Sequence, residues 1–298
     1  VYAPLSFLGF GTLLNRIMPM IPGIRWLSLA CIVWMRPIVP ERTKPSVSVV
    51  IPVRNEKGNI EDALKRMPSF GGASVEVVFV EGHSTDGSWE EIQRVAPLYQ
   101  SRMGIMALQQ TGIGKADAVR LGFEHATGEV LTILDADLTM PPEHLVRFYD
   151  AYCEGLGDFI NGSRLVYPME GEAMRFLNRL GNILFAKALS RILGVDIGDS
   201  LCGTKLFSRR SHRQMAAWRS DFKPGDPFGD FELLFPASIL GMGIVDIPVC
   251  YRARTYGATS ISRFRHGWML LIMSAKGLFF LRTGRTGRPP NPTPGVNR

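Results

Sequence analysis

Residues 46–56 read Ser-Val-Ser-Val-Val-Ile-Pro-Val-Arg-Asn-Glu (SVSVVIPVRNE). The first eight are mostly apolar and rich in valine and isoleucine, which predicts a strand buried on both faces. Working outward, similar short runs occur at Val75–Val80, Ile105–Leu108, Val130–Leu134 and Ile244–Val249. Between and after them lie helical stretches at Ile60–Met67, Ser88–Leu98, Lys115–Ala126, Pro142–Glu154, Ala173–Leu193 and Phe231–Leu240. This alternation predicts an α/β fold, a Rossmann-like and mostly parallel sheet flanked by helices. Such sheets hold ligands beyond the carboxyl ends of their strands. The loops after Val53, Val80 and Leu134 are therefore the places where chemistry is expected.

The chain has 298 residues, 46% hydrophobic and 20% charged, with 34 Lys+Arg against 27 Asp+Glu and a net charge of +7. That composition belongs to a folded protein with an ample core and excludes a disordered or collagen-like chain. The basic excess sits at the ends: residues 1–45 carry five basic groups and one acid, 46–251 carry 20 and 26, and 252–298 carry nine and none. Cys31, Cys153, Cys202 and Cys250 form no CxxC, and the five histidines form no HExxH. A disulfide framework and a zinc site are both disfavoured. No uncharged apolar run reaches the roughly 18–20 residues needed to span a bilayer. Arg16, Arg25 and Arg36 interrupt the first such region, and Lys276 interrupts Gly267–Leu281. The expected organisation is an apolar, basic N-terminal segment at 1–45, whose residues 1–40, with the run LNRIMPMIPGIRWLSLACIVWMRP, resemble the end of a methyltransferase-like domain, followed by an α/β domain at 46–257. An interfacial or packed amphipathic helix at 258–282 and a disordered Gly-, Pro- and Arg-rich tail at 283–298 complete it.

Polar and acidic turns follow the first two strands, at Arg54-Asn55-Glu56 and at Glu81-Gly82-His83-Ser84-Thr85-Asp86-Gly87. After the fourth comes Asp135-Ala136-Asp137. In extended backbone, residues two apart point to the same side, so the two aspartates are expected to share one hard cation, Mg²⁺ or Mn²⁺, through oxygen. Around Thr111-Gly112-Ile113-Gly114-Lys115 the spacing does not match a phosphate-binding P-loop, and no GxGxxG follows the first strand. The net acidic centre and the lack of a nucleic-acid motif argue against a nucleic-acid partner.

In chain order, SVVIPVRNE, VFVEGHSTDGS, GKADAVRLGFEHATGEVLTILDADLTMPPE, NGSR, DSLCGTKLFSR, FGDFELL and IPVCYRARTYGATSI resemble the GT-A glycosyltransferases of family 2, and within them the dolichol-phosphate mannose synthase branch. The likeness covers about residues 46–265. It implies a GT-A fold and a nucleotide-sugar donor, GDP-mannose or UDP-glucose, bound by Pro52, Asn55, Glu56 and Glu81 with Asp86 near them, and by Lys115 and Asp135. It also implies that Asp135 and Asp137 hold the metal bridging the donor's diphosphate, where a divalent ion stabilises the departing charge. Two departures stand out: Gly82 replaces a second carboxylate common in relatives, and Ala116 replaces the usual glycine after Lys115.

On the acceptor side the resemblance points to Arg164 of the NGSR run and to Arg254. Arg175 and Arg179, four residues apart, fall on one face of a helix. Arginine suits multidentate binding of phosphate oxygens, although a lone arginine is otherwise an ordinary surface or ion-pair residue. A phosphate monoester has a second pKa of about 6 and attacks as an anion without a general base. A sugar hydroxyl would need one, and Asp230 in Gly229-Asp230-Phe231-Glu232 occupies the stretch that supplies it in hydroxyl-using relatives. Asp230 is thus the candidate base, or an orienter of acceptor and arginines, and completes the catalytic set Asp137, Asp230, Arg164 and Arg254. Asp199 and Lys205 are read as a structural pair or as ligand contacts.

The expected activity is inverting, metal-dependent transfer of a hexose to a polyprenyl phosphate by an enzyme peripheral on the cytoplasmic face of a membrane. A hydroxyl acceptor is the alternative, and a nucleotide-binding pseudoenzyme is a remoter one.

Overall fold

The run that opens at Val47 forms β1 (Val47–Val53) in the computed structural model. It pairs in parallel with β2 (Val75–Glu81) on one side and with β4 (Val130–Ile133) on the other. The structure describes residues 10–18, 21, 23–27, 43–167, 176–218, 229–254 and 256, with isolated positions at 272, 274 and 275. The chain divides into two units, residues 1–38 and 39–298. The first contains α1 (Phe10–Ile17) and a 3₁₀ turn at Ile24–Leu27.

In the second unit, the two faces of β1 feed two cores. Val47, Val49, Ile51 and Val53 join side chains of α2 (Lys57–Lys65), α3 (Ser88–Tyr99) and α5 (Leu145–Cys153), among them Ile60, Leu64, Ile92, Val95 and Phe148. Val50 joins the other core with Val119 and Phe123 of α4 (Lys115–His125), Leu189 of α6 (Phe176–Leu193), Met215 of α7 (Arg209–Ala216) and Phe231 and Phe235 of α8 (Asp230–Ile239). A strand covered on both sides explains its near-continuous apolar sequence. Each fully buried side chain of this size contributes about 1.5–3 kcal/mol. Gly122 lets α4 lie close on the sheet, since a Cβ there would come within 2.4 Å of Val50 Cγ1.

Among the described residues seven strands form one sheet in the order β3-β2-β1-β4-β6-β5-β7, with β3 at Gly104–Gln109, β5 at Phe159–Ser163, β6 at Lys205–Ser208 and β7 at Ile244–Pro248. Of these strands only β6 is antiparallel to its neighbours. Its incoming loop therefore emerges at the same edge as the carboxyl ends of the other strands, and that edge carries the candidate site.

β5, β6 and α7 are absent from the expected elements. FINGS and KLFS are short and carry Asn, Gly and Lys, so neither looks like a buried strand in isolation. Helix α7 starts on a cap, the Ser208 hydroxyl accepting from the Ser211 N–H, with only His212 and Met215 buried. No helix among the described residues is long and apolar enough to cross a membrane. Of the expected helix at 258–282 only three positions are described, and the tail at 283–298 lies outside the described residues.

Candidate active site

The loops after β1 and β2 are clamped to each other. Asn55 holds a left-handed backbone, φ 55°, which its short polar side chain tolerates better than most. Its N–H donates to Ser84 Oγ at 3.0 Å and its Oδ1 accepts from the Thr85 N–H at 2.8 Å. Asp86 accepts from the N–H groups of Lys57 (3.1 Å) and Ser88 (3.0 Å). Burial pushes the Asp86 carboxyl up, but these hydrogen bonds and the Ser88 hydroxyl hold it below the ordinary range. Asn55 and Asp86 thus spend polar atoms on shaping the loops. Glu81, 4% exposed, accepts from the Ser84 N–H, and Pro52 lies within β1 opposite Val80. At Gly82, the position lacking a second carboxylate, a Cβ would stand 2.9 Å from Gln110 Oε1. Gln110 is a buried neighbour that sequence reasoning missed.

The Asp135–Asp137 segment is a turn rather than the extended backbone expected. The Leu138 N–H bonds to Asp135 O at 3.1 Å, and Leu138 has φ 51°. The two carboxylates consequently take different protein cations. Asp135 pairs with Lys115, while Asp137 Oδ2 accepts from Arg254 Nη2 at 2.6 Å. Asp137 Oδ1 accepts from the Thr139 N–H (3.1 Å) and hydroxyl (2.8 Å). Burial is the largest single influence on the Asp135 carboxyl and pushes it up, but Lys115, Arg164 and Lys205 together hold it below its ordinary value. Lys115 is likewise held above its own despite burial. Gly203 admits the loop entering β6 to this pair, because a Cβ there would lie 2.4 Å from Lys115 Nζ and 2.5 Å from Asp135 Oδ2. Ala116 is accommodated by Gly229, where a Cβ would sit 3.3 Å from the alanine's Cα and Cβ.

Arg254 joins two loops, since its Nη1 also donates to Glu56 Oε1 at 2.9 Å. Tyr256 closes over the same region, its ring 2.7 Å from where a Cβ on Gly58 would be and its hydroxyl 3.3 Å from Asp86 Oδ2. Burial raises Glu56 to about 7, against the opposing pull of Arg254 and Asn59. The folded protein therefore retains this proton between about pH 4.5 and 7. The resulting stability is complete below pH 4.5 and is lost as pH rises through 7. Glu56→Gln, which cannot titrate, is expected to flatten that part of a Tm-versus-pH curve; an unchanged slope would refute the shift.

Arg164 makes a forked pair with Asp199, Nε to Oδ2 at 2.7 Å and Nη2 to Oδ1 at 2.9 Å. Asp199 is fully buried. Lys205, also fully buried, pairs with Asp230 and donates to the Cys202 carbonyl. Asp199 and Lys205 thus each form an ion pair, but not with one another. Glu232 accepts from Arg120 Nη1 at 2.6 Å. Of the other predicted acceptor arginines, Arg175 lies outside the described residues and Arg179 falls within α6 with its side chain undescribed.

Among the described residues no group of three or more His, Cys, Asp or Glu is arranged to hold a metal ion. Two aspartates nevertheless suit Mg²⁺ or Mn²⁺, which proteins hold through one or two carboxylates plus substrate phosphates.

A family model described as Glycosyl transferase family 2 matches residues 48–215, more than half of the 298 residues. The chain is similar to the dolichol-phosphate mannosyltransferase of Pyrococcus furiosus, 30% identical over 225 residues, 72% of this chain and 59% of that protein. It is also similar to the dolichyl-phosphate hexose transferase of Haloferax volcanii, 29% identical over 227 residues, 76% of this chain and 91% of that one. Among solved structures it aligns with a Pyrobaculum calidifontis mannosyltransferase in complex with GDP-Man and Mn²⁺, with a TM-score of 0.53, 22% identity and coverage of 86% and 69%. It aligns too with Mycobacterium tuberculosis glucosyl-3-phosphoglycerate synthase bound to Mn²⁺, UDP and glucosyl-3-phosphoglycerate, with a TM-score of 0.54, 17% identity and coverage of 85% and 87%. Those two likenesses speak to fold. With the strand order, the acidic turn after β4 and the family match in agreement, the chain belongs to glycosyl transferase family 2, with the GT-A fold.

Proposed function

We propose that the protein transfers a hexose, with inversion, from a nucleoside-diphosphate sugar such as GDP-mannose or UDP-glucose to a polyprenyl phosphate. Asp135 and Asp137 would hold Mg²⁺ or Mn²⁺, which when bound supplies Lewis-acid stabilisation to the departing diphosphate. Lys115, beside Asp135, adds a positive charge on the donor side. Glu56 and Asn55 shape the nucleotide pocket, with Glu81 and Asp86 bracing the adjoining loop.

One observation carries the choice of acceptor: Asp230, the candidate base, and Glu232 in the same run are 5% and 7% exposed and bonded to Lys205 and Arg120. That arrangement suits a positioning role better than proton abstraction, and an anionic phosphate acceptor needs no base. Arg164 and Arg254, at the same sheet edge, provide the cationic partners for its phosphate. Names of the relatives point the same way, as the Pyrococcus and Haloferax proteins are described as acting with dolichol phosphate. Such an acceptor fits an enzyme peripheral at a membrane surface, which we read as the cytoplasmic face because the basic excess at the two ends of the sequence complements anionic lipid.

The test incubates the protein with Mn²⁺, labelled GDP-mannose or UDP-glucose, and either polyprenyl phosphate or an oligosaccharide. Label is expected in the lipid fraction; label only in oligosaccharide would favour the hydroxyl alternative instead.

A further inference from the structure

Three backbone and side-chain links strap residues 249–254 across the site. The Val249 N–H donates to Ser163 O at 2.9 Å, next to Arg164. The Arg252 N–H donates to Thr139 O at 2.8 Å, on the aspartate turn, and Arg254 reaches Asp137 and Glu56. Between these anchors lies Tyr251, and the Arg164 guanidinium carbon stands over its ring, 5.4 Å from the centroid. Asp199 takes the Nε and Nη2 atoms of that guanidinium. Its second edge, with Nη1, makes no hydrogen bond among the described residues.

We propose that Tyr251 is a positioning residue for Arg164, its ring fixing the plane of the guanidinium so that the remaining edge is presented to the acceptor's phosphate. The inference rests on the reading of Arg164 as a phosphate-binding group. A π-face suits the task because it attracts the cation without accepting an N–H that the phosphate needs and without cancelling the charge, as a second carboxylate would. Asp199 sets the in-plane direction of the guanidinium and the ring sets its tilt. The strap ties the ring to the aspartate turn through Arg252 and to Ser163, the residue before Arg164, through Val249, so the donor and acceptor halves of the site are held in one register.

The experiment compares the full chain with Y251L and Y251F. Calorimetry reads the binding of citronellyl phosphate, a soluble short polyprenyl phosphate, in the presence of Mn²⁺ with GDP or UDP. Steady-state assays at saturating donor read acceptor KM and kcat. Y251L is expected to weaken citronellyl phosphate binding and raise acceptor KM roughly 3- to 30-fold, with nucleotide affinity and Tm unchanged. Y251F, which keeps the ring but loses the hydroxyl's hydrogen bond to Thr139, should keep acceptor affinity close to wild type. Equal acceptor affinity in Y251L and wild type overturns the proposal, as does equal weakening of nucleotide and acceptor, which would mark a merely structural ring. Transfer by wild type only to a hydroxyl overturns the polyprenyl-phosphate reading by itself, while a loss of citronellyl phosphate binding confined to Y251L still upholds the role of Tyr251. A wild type that binds no citronellyl phosphate overturns both.

Discussion

Asp137→Ala is expected to lower kcat/KM by on the order of 10³-fold while leaving the protein folded. Electrostatic stabilisation of a departing anion is commonly the largest catalytic contribution, and losing one preorganised partner costs about 10²–10³ in rate. Here the lost carboxylate is also half of the expected metal-binding pair, so the upper end applies. Global folding is expected to survive because Arg254 keeps Glu56 as a partner at 2.9 Å, while the buried Thr139, which loses its acceptor for N–H and hydroxyl, adds a cost of about 1–3 kcal/mol. Parallel measurement of turnover across a Mn²⁺ titration and of Tm checks both halves. Unchanged turnover would remove Asp137 from the metal assignment, and a collapsed Tm would make it a structural residue.

Lys205→Met is expected to cost about 3–5 kcal/mol of stability, since removing one member of a buried ion pair strands the other charge. Lys205 is fully buried and Asp230 is 5% exposed, so solvent cannot take over from the ammonium. For a domain of this size, about 2–4 °C per kcal/mol puts the fall in Tm on the order of 10 °C. The double variant Lys205→Met with Asp230→Leu should recover a large part of the loss, because apolar replacements of whole buried pairs are often neutral. Denaturant unfolding of the single and double variants decides the matter. A single variant within about 1 kcal/mol of wild type would show that the pair is not what fixes the start of α8.

Much of this architecture is legible in the sequence, for a specific reason. The runs at β1, β2 and β4 are covered on both faces, so their burial is written locally as valine and isoleucine. The same logic fails at β5 and β6, where Asn161 and Lys205 are buried through partners far away in the chain: Asp246 Oδ1 at 2.7 Å for the amide and Asp230 for the ammonium. A short segment whose polar groups are satisfied only by tertiary contacts looks like a loop when read alone.

Within the site, the residue types were legible and their couplings were not. Asp135 and Asp137 read as equivalent ligands, yet the turn closed by Leu138 assigns one to Lys115 and the other to Arg254. Asp199 and Lys205 read as a structural pair or as ligand contacts, whereas the fold brings Arg164 to Asp199 and Asp230 to Lys205. Tyr251 and Gln110 carried no signal, because nothing in their local sequence reveals which loop they will face.

The contact between Arg254 and Glu56 spans 198 residues, and that separation bears on biosynthesis. At about 5–20 residues per second, roughly 10–40 s pass between the emergence of Glu56 from the ribosome and that of Arg254. During that interval the strands β1 to β4 and both donor loops are already available to fold. Lys115 meets Asp135 early, but Glu56 and Asp137 wait for their shared guanidinium. The nascent domain can thus pair β1, β2, β3 and β4 well before Arg254 arrives, whereas β7 at Ile244–Pro248 emerges only just ahead of it, so a ribosome stalled before residue 254 would hold the loops of Glu56 and Asp137 without the guanidinium that joins them.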